Sequence, residues 1–164
     1  MIRVIATFGY VGYLKPAPGT WGTAAALPVG YLLHALGGFP ALAVATALAF
    51  VAGTWATERL TRDAQNKDPS EIVIDEVVGM WIALWPLSAG LWLGGADPWV
   101  FPWPGWVGGF ILFRLFDIWK PGPVGWADRQ PGAMGVMLDD VIAGLAAAVI
   151  VTVAAGVAHG VMGV

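Results

Sequence analysis

The sequence predicts an all-α fold, a polytopic helical membrane bundle of about five transmembrane helices, and three observations predict it. Hydrophobic residues make up 58% of the 164 and charged residues only 12%, about half the usual globular share. Mean hydropathy is +0.72. The charges come in bursts, separated by apolar runs long enough to cross hydrocarbon, which takes about 20 residues at 1.5 Å each. Eight basic and eleven acidic side chains cannot give such a chain the polar shell that a water-soluble enzyme needs. The length holds one domain, residues 1–164.

The elements follow from where the charges fall. Pro16 to Thr57 is uncharged for 42 residues, which is two crossings joined by a tight return at His34-Ala35-Leu36-Gly37-Gly38-Phe39-Pro40, where Gly and Pro suit a turn. Nine charges then crowd into Glu58–Glu76. Val77 to Ala96 and Pro98 to Phe113 are uncharged, with Asp97 alone between them. Seven charges lie between Arg114 and Asp140, and none follows. Spans are therefore expected at about 20–36, 40–57, 72–94, 104–119 and 138–162. Five spans place Arg3, Lys15, Arg59, Arg62, Lys67, Arg114, Lys120 and Arg129 on one face, leaving Asp97 and the neutral His34 and His159 on the other. The positive-inside rule then makes the N-terminus cytoplasmic and the C-terminus periplasmic.

Other classes drop out on the same composition. Disorder and coiled coils lack their signatures, and a net charge of −3 with no Lys/Arg block argues against nucleic acid. With no Cys, disulfides, thiolate nucleophiles and Cys–zinc sites are excluded. Trp92, Trp99, Trp103 and Trp106 with their prolines read as an aromatic belt around an outer loop, and His34 and His159 as outer interface residues.

Two acidic pairs stand inside apolar runs: Ile72-Val73-Ile74-Asp75-Glu76-Val77-Val78-Gly79 and Val136-Met137-Leu138-Asp139-Asp140-Val141-Ile142-Ala143-Gly144. Acids in a helix's first turn suit the macrodipole. Adjacent residues point about 100° apart, however, so both acids of a pair cannot face water around a lone helix. Ionised carboxylates at that depth need a partner, a cation or a wet cavity. Glu76, Gly79 and Ala83 share one helical face, as do Asp140, Ala143, Gly144 and Ala147, and small residues let membrane helices close up. Packing those faces gathers four carboxylates at one cytoplasmic pocket. An oxygen-only donor set of Asp75, Glu76, Asp139 and Asp140 suits Mg²⁺, with Mn²⁺ and Ca²⁺ as the other hard-ion candidates.

Arg114, Asp117 and Lys120 share a face near the end of the fourth span. Arg114 offers a planar fork to phosphate oxygens, whereas Lys120 reads equally as a phosphate ligand and as an ion-paired, snorkelling side chain. Thr20, in Pro16-Ala17-Pro18-Gly19-Thr20-Trp21-Gly22-Thr23, is placed at a helix N-cap, where free N–H groups can hold phosphate. Glu58–Arg62 and Arg59–Asp63 are expected as i,i+4 pairs, and Gly122–Gly135 as a loop able to fold over the pocket.

The blocks PAPGTWGT (16–23), IVIDEVVGMW (72–81), FILFRLFDIWKPGPVGWADR (110–129) and GVMLDDVIAG (135–144) resemble the phosphatidylglycerophosphatase A family in order and spacing, over nearly the whole chain. The resemblance implies a Mg²⁺-dependent enzyme of the bacterial inner membrane, with its active site on the cytoplasmic face. It implies that the terminal phosphate of the phospholipid phosphatidylglycerophosphate is removed to give phosphatidylglycerol. By position, Asp75, Glu76, Asp117, Asp139 and Asp140 become catalytic candidates, and Arg114, Lys120 and Thr20 substrate-binding ones. Asp117 is either a ligand or a base. Two departures stand out: Asn66-Lys67-Asp68-Pro69-Ser70 lacks the His often found there, and Gln130-Pro131-Gly132-Ala133 replaces a Gly-Gly.

Rival readings have specific weaknesses. A transporter or channel would set its carboxylates near the midplane on broken helices, not at one mouth. A CDP-alcohol phosphotransferase needs a D-G-x2-A-R-x8-G-x3-D-x3-D pattern, which is absent. The sequence also lacks Asp-x-Asp-x-Thr and His-centred phosphatase signatures, leaving metal–carboxylate chemistry.

Overall fold

The computed structural model describes residues 1–62 and 69–162. Asp63, Asn66, Lys67 and Asp68 lie outside them, and with them the Arg59–Asp63 pair and part of the stretch that lacks the family's His. The described residues form a short α1 (Ile2–Ala6), a 3₁₀ turn at Val11–Tyr13, and α2 (Pro18–Thr61), α3 (Ile74–Leu93), α4 (Trp103–Trp119), α5 (Pro123–Asp128) and α6 (Ala133–Met162). The fold is all-helical among these residues. Three helices are long and apolar enough to cross a membrane: Pro18–Thr61, Ile74–Leu93 and Ala133–Val161. The fourth expected span, α4, is 17 residues long and carries Arg114 and Asp117 towards its end.

The first two expected spans meet at the expected tight return. They are continuous in α2 except at Gly37 and Gly38, whose backbones leave the helix (φ −154° and φ 63°). Contacts with α3 show what this break does. Before it, Gly22 meets Val73, Gly30 meets Trp81 and Leu84, and Gly38 meets Trp92. Numbers rise together, so this arm runs parallel to α3. After the break, Phe39 packs on Trp85, Trp85 Nε1 donates to Thr46 Oγ1 at 3.3 Å, and Gly53 meets Ile74. That order is reversed. The chain turns back within two residues, which Gly38 permits because its positive φ is strained for a side chain and the Trp92 indole fills the place of a Cβ.

α3 is the centre of the bundle. Every residue from Val77 to Leu84 is buried, enclosed by the arms of α2, by α4 and by α6. Its crossing with α6 depends on small residues: Gly144 lies on the backbone of Gly79, and Gly79 against the Asp140 carbonyl and the Phe113 ring. Ala83, Ala143 and Ala147 continue the contact at 0% exposure. The outer faces are apolar: Val44, Leu48, Val51 and Trp55 on α2, Ile111, Leu115 and Ile118 on α4, and Val149, Val153 and Val157 on α6 are all exposed. An exterior this apolar suits lipid, with the ionisable groups turned inward at one end of the bundle. Threonines 23, 46, 54, 61 and 152 donate to the carbonyl four residues back, so their hydroxyls need no water.

Three local expectations are corrected. α2 starts at Pro18 with Ala17 at its cap, because a proline tolerates the first helical position; Thr20 therefore sits inside the first turn. His34 is buried rather than interfacial, with Nδ1 2.8 Å from Ser88 Oγ and its ring against Phe101. Residues 122–135 are not merely a loop, since they contain α5. Arg62 does meet Glu58, at 3.8 Å on the surface.

Candidate active site

The site forms where the start of α3, the start of α2, the end of α4 and the first turns of α6 meet. A cavity of about 460 Å³ opens there. Its walls include Thr20, Asp75, Glu76, Arg114, Asp117 and Lys120, together with Asp139 and Asp140. All eight residues singled out in the sequence thus border one space. α5 and the turn after it add Asp128, Gln130, Pro131 and Gly132 to the rim.

Each acidic pair has the same local geometry. Asp75 Oδ1 accepts from the Glu76 backbone N–H at 3.0 Å, and Asp139 Oδ1 accepts from that of Asp140 at 3.0 Å. The first acid folds back along its own helix and the second projects outward. Asp75, Glu76 and Asp140 each offer an oxygen, and these three oxygens lie within 4.8 Å of one another. Asp140 is 3% exposed, and its charged neighbours include Asp117, Asp75 and Asp139.

Asp139 is not in that trio. Its Oδ2 takes a hydrogen bond from Lys120 Nζ at 2.8 Å, while Lys120 also pairs with Asp128 of α5. The roughly 100° between neighbours on a helix separates Asp139 from Asp140. Lys120 is therefore a bridge from the end of α4, where it adopts a left-handed backbone, to α5 and α6. Burial alone would lower its pKa, but hydrogen bonds to Asp128 and Asp139 outweigh that and hold it above the ordinary lysine value.

Arg114 faces the cluster from α4. Nη1 donates to Asp117 Oδ2 and Nη2 to Thr20 Oγ1 at 3.4 Å; Nε is buried without a partner. Opposite stands the start of α2, where the N–H groups of Gly19 and Thr20 precede the first intrahelical bond, made by Trp21 N–H to the Ala17 carbonyl at 3.1 Å. Gly19 was not singled out in the sequence. A Cβ there would run into Glu76 Oε1 and reach 3.4 Å from Arg114 Nη1. A glycine at a helix start beside an acid pair is the signal that could have found it.

A divalent cation fits this donor set. Every candidate ligand is a carboxylate, the hard oxygen donor that such ions take. Glu76 Oε2 and Asp140 Oδ1 are also buried with no hydrogen-bond partner, which native proteins rarely leave unexplained. The same cavity sets Arg114 and free amide groups against the acids, an arrangement that receives an anion.

Comparison with known proteins agrees with this geometry. The family model described as phosphatidylglycerophosphatase A matches residues 4–155. A protein named phosphatidylglycerophosphatase A from Escherichia coli (strain K12) is 36% identical over 142 residues, covering 85% of this chain and 76% of that protein. One of the same name from Haemophilus influenzae is 36% identical over 151 residues, covering 92% and 86%. A third relative, from Bacteroides thetaiotaomicron, is 38% identical over 149 residues, covering 87% and 86%, and carries the provisional name phosphatidylinositol-3-phosphatase. No solved structure matches the chain. With the match running through every element that builds the cavity, the chain belongs to the phosphatidylglycerophosphatase A family.

Proposed function

We propose that the protein is a phosphatidylglycerophosphatase: it hydrolyses the terminal phosphate ester of phosphatidylglycerophosphate to phosphatidylglycerol and inorganic phosphate. The observation that carries this reading is one cavity in which three clustered carboxylates oppose Arg114 and the free amides of α2.

Asp75, Glu76 and Asp140 would hold Mg²⁺, with Asp139 beside them tied to Lys120. A divalent ion there supplies positive charge against the phosphoryl group and acidity to nearby water. The chain's own groups do the rest. Arg114, fixed by Asp117 and Thr20, presents its fork to the phosphoryl oxygens, and the Gly19 and Thr20 amides receive the same anion. Asp117, held through Oδ2, uses Oδ1 to take a proton from the attacking water. The water oxygen bonds to phosphorus as the bond from phosphorus to the glycerol oxygen breaks, and that oxygen takes back the proton Asp117 removed and leaves as an alcohol. Lys120 acts on Asp139 and Asp128 and thereby on the shape of the pocket.

The same reading places five passages in the inner membrane, with the N-terminus and the site cytoplasmic. Support comes from α2, whose reversal at Gly37–Gly38 makes two passages of one helix, and from α4, long enough at about 25 Å to approach the hydrocarbon thickness of about 30 Å. Lys15, Arg59, Arg62 and Lys120 adjoin the helix ends that carry the acids, whereas Asp97 and Trp92 lie at the other end.

The test is phosphate release from phosphatidylglycerophosphate in detergent micelles by purified protein, with phosphatidylinositol 3-phosphate alongside. The expected result is turnover of the first lipid that stops with EDTA and returns with Mg²⁺. Turnover indifferent to EDTA, or confined to the inositol lipid, overturns the reading.

A further inference from the structure

A second cavity lies along the same seam. It has a volume of about 410 Å³ and is lined by Ala24, Leu27, Pro28, Tyr31, Trp99, Phe101 and Trp106, within the size range of ligand pockets. Two helices carry both cavities. On α2, Thr20 borders the acidic site, and Ala24, Leu27, Pro28 and Tyr31 border the apolar one. These are positions i, i+4, i+7, i+8 and i+11, a single helical stripe. On α4, Arg114 borders the first and Trp106 the second, two turns apart on one face.

Aromatic side chains pack together at the far end of this second cavity. Tyr31 Oη donates to the Trp99 carbonyl at 3.0 Å, and the Tyr31 ring packs on Trp99 and Phe101 at centroid separations of 6.2 and 5.5 Å. From Thr20 to Tyr31 the stripe rises about 16 Å, close to half of a hydrocarbon core of about 30 Å. One stripe of α2 thus carries the acidic cavity at its start and the apolar cavity beyond it, over about one leaflet's depth.

We propose that this seam between α2 and α4 holds a fatty acyl chain of the phosphomonoester lipid whose phosphate sits at the acidic site, so that the lipid enters sideways from its own leaflet. The proposal rests on the proposed function for the identity of the head group. Its argument is alignment: one helical stripe carries the polar cavity and, beyond it, the apolar one. Binding energy gained along the chain then helps to seat the reacting phosphate.

Two measurements test it. Ala24→Trp and Leu27→Trp fill the groove. For each, kcat/KM is measured on dipalmitoyl and dihexanoyl phosphatidylglycerophosphate, and the long-to-short ratio is expected to fall about tenfold or more. An unchanged ratio in a folded variant overturns the proposal. On the wild-type protein in nanodiscs, a phosphatidic acid bearing a diazirine on one acyl chain is expected to label residues 24–31 and 101–106. Labelling spread evenly onto exposed Leu48 and Val153 overturns it too. Because this second measurement needs no turnover, a protein that hydrolyses neither lipid would sink the phosphatase reading while the groove is still decided.

Discussion

Asp139 and Asp140 are neighbours in sequence with different surroundings. Asp140 joins Asp75 and Glu76, and Asp139 answers Lys120. Asp140→Asn removes one charge from the trio, and phosphate release is expected to fall by about 10²–10³-fold, as losses of electrostatic stabilisation do. A reading independent of activity accompanies it. Mg²⁺ at about 100 times its dissociation constant should stabilise the wild type by about 2.7 kcal/mol, raising Tm, and should raise that of Asp140→Asn much less. Gly19→Ala pushes a methyl group into Glu76 Oε1. Activity should drop by about 10²-fold, the scale of a small misplacement in a site, whereas Thr20→Ala should cost far less because Thr20 is exposed and its bond to Arg114 is long. The pH dependence follows from Lys120, whose pKa is raised. Its contribution to stability is fully present below the ordinary lysine value of about 10.4 and is lost only as pH rises beyond that towards the folded value. A Lys120→Met variant should therefore lose Tm at every pH from 6 to 9 by a similar amount. The acids themselves were legible in the sequence because charge in an apolar run is rare. The partner of Asp139 was not, since Lys120 lies 19 residues away and meets it only after α5 folds between them.

At the scale of elements, the α3–α6 crossing was legible from its small residues, and it sets how close the acidic pairs come. Any side chain at Gly144 meets the Gly79 backbone, which cannot move aside as a flexible side chain would. Gly144→Leu is expected to destabilise the protein by about 1–3 kcal/mol through overpacking, read as a lower Tm in detergent, and to separate Asp140 from Asp75 with loss of activity. Gly90→Leu is its control, since a Cβ at Gly90 meets nothing. The start of α2 was less legible. Thr20 has the chemistry of a cap, but Pro18 can begin a helix without an N–H to satisfy, and the shift of the cap from Thr20 to Ala17 changed which amides stand free at the helix start. His34 was misplaced for a related reason: a polar ring near a Gly-Gly turn looks interfacial until Ser88 arrives from another helix to satisfy it.

For the whole molecule, the apolar exterior and acidic interior make orientation testable. The chain has no Cys, so single cysteines report cleanly. A cysteine replacing Asp97 should react with a membrane-impermeant maleimide in intact spheroplasts, and one replacing Lys15 only after permeabilisation; the opposite pattern would invert the proposed topology. The return inside the long uncharged run was legible from Gly37 and Gly38, whose backbones leave the helix, whereas three described helices, not five, are long and apolar enough to cross a membrane. Two apolar runs joined by a Gly-Gly step look like two segments in sequence, and the non-helical backbones of Gly37 and Gly38 together with the contacts to α3 show the reversal.

That reversal bears on how the protein is made. From Pro16 to Thr57 there is no Lys, Arg, Asp or Glu, and the bend needs no polar connector. Both arms of α2 can therefore partition from the translocon as one folded-back unit, with nothing ionised to drag through the lipid. On the proposed topology, α3 would then meet both arms together, with Asp75 and Glu76 left on the cytoplasmic side.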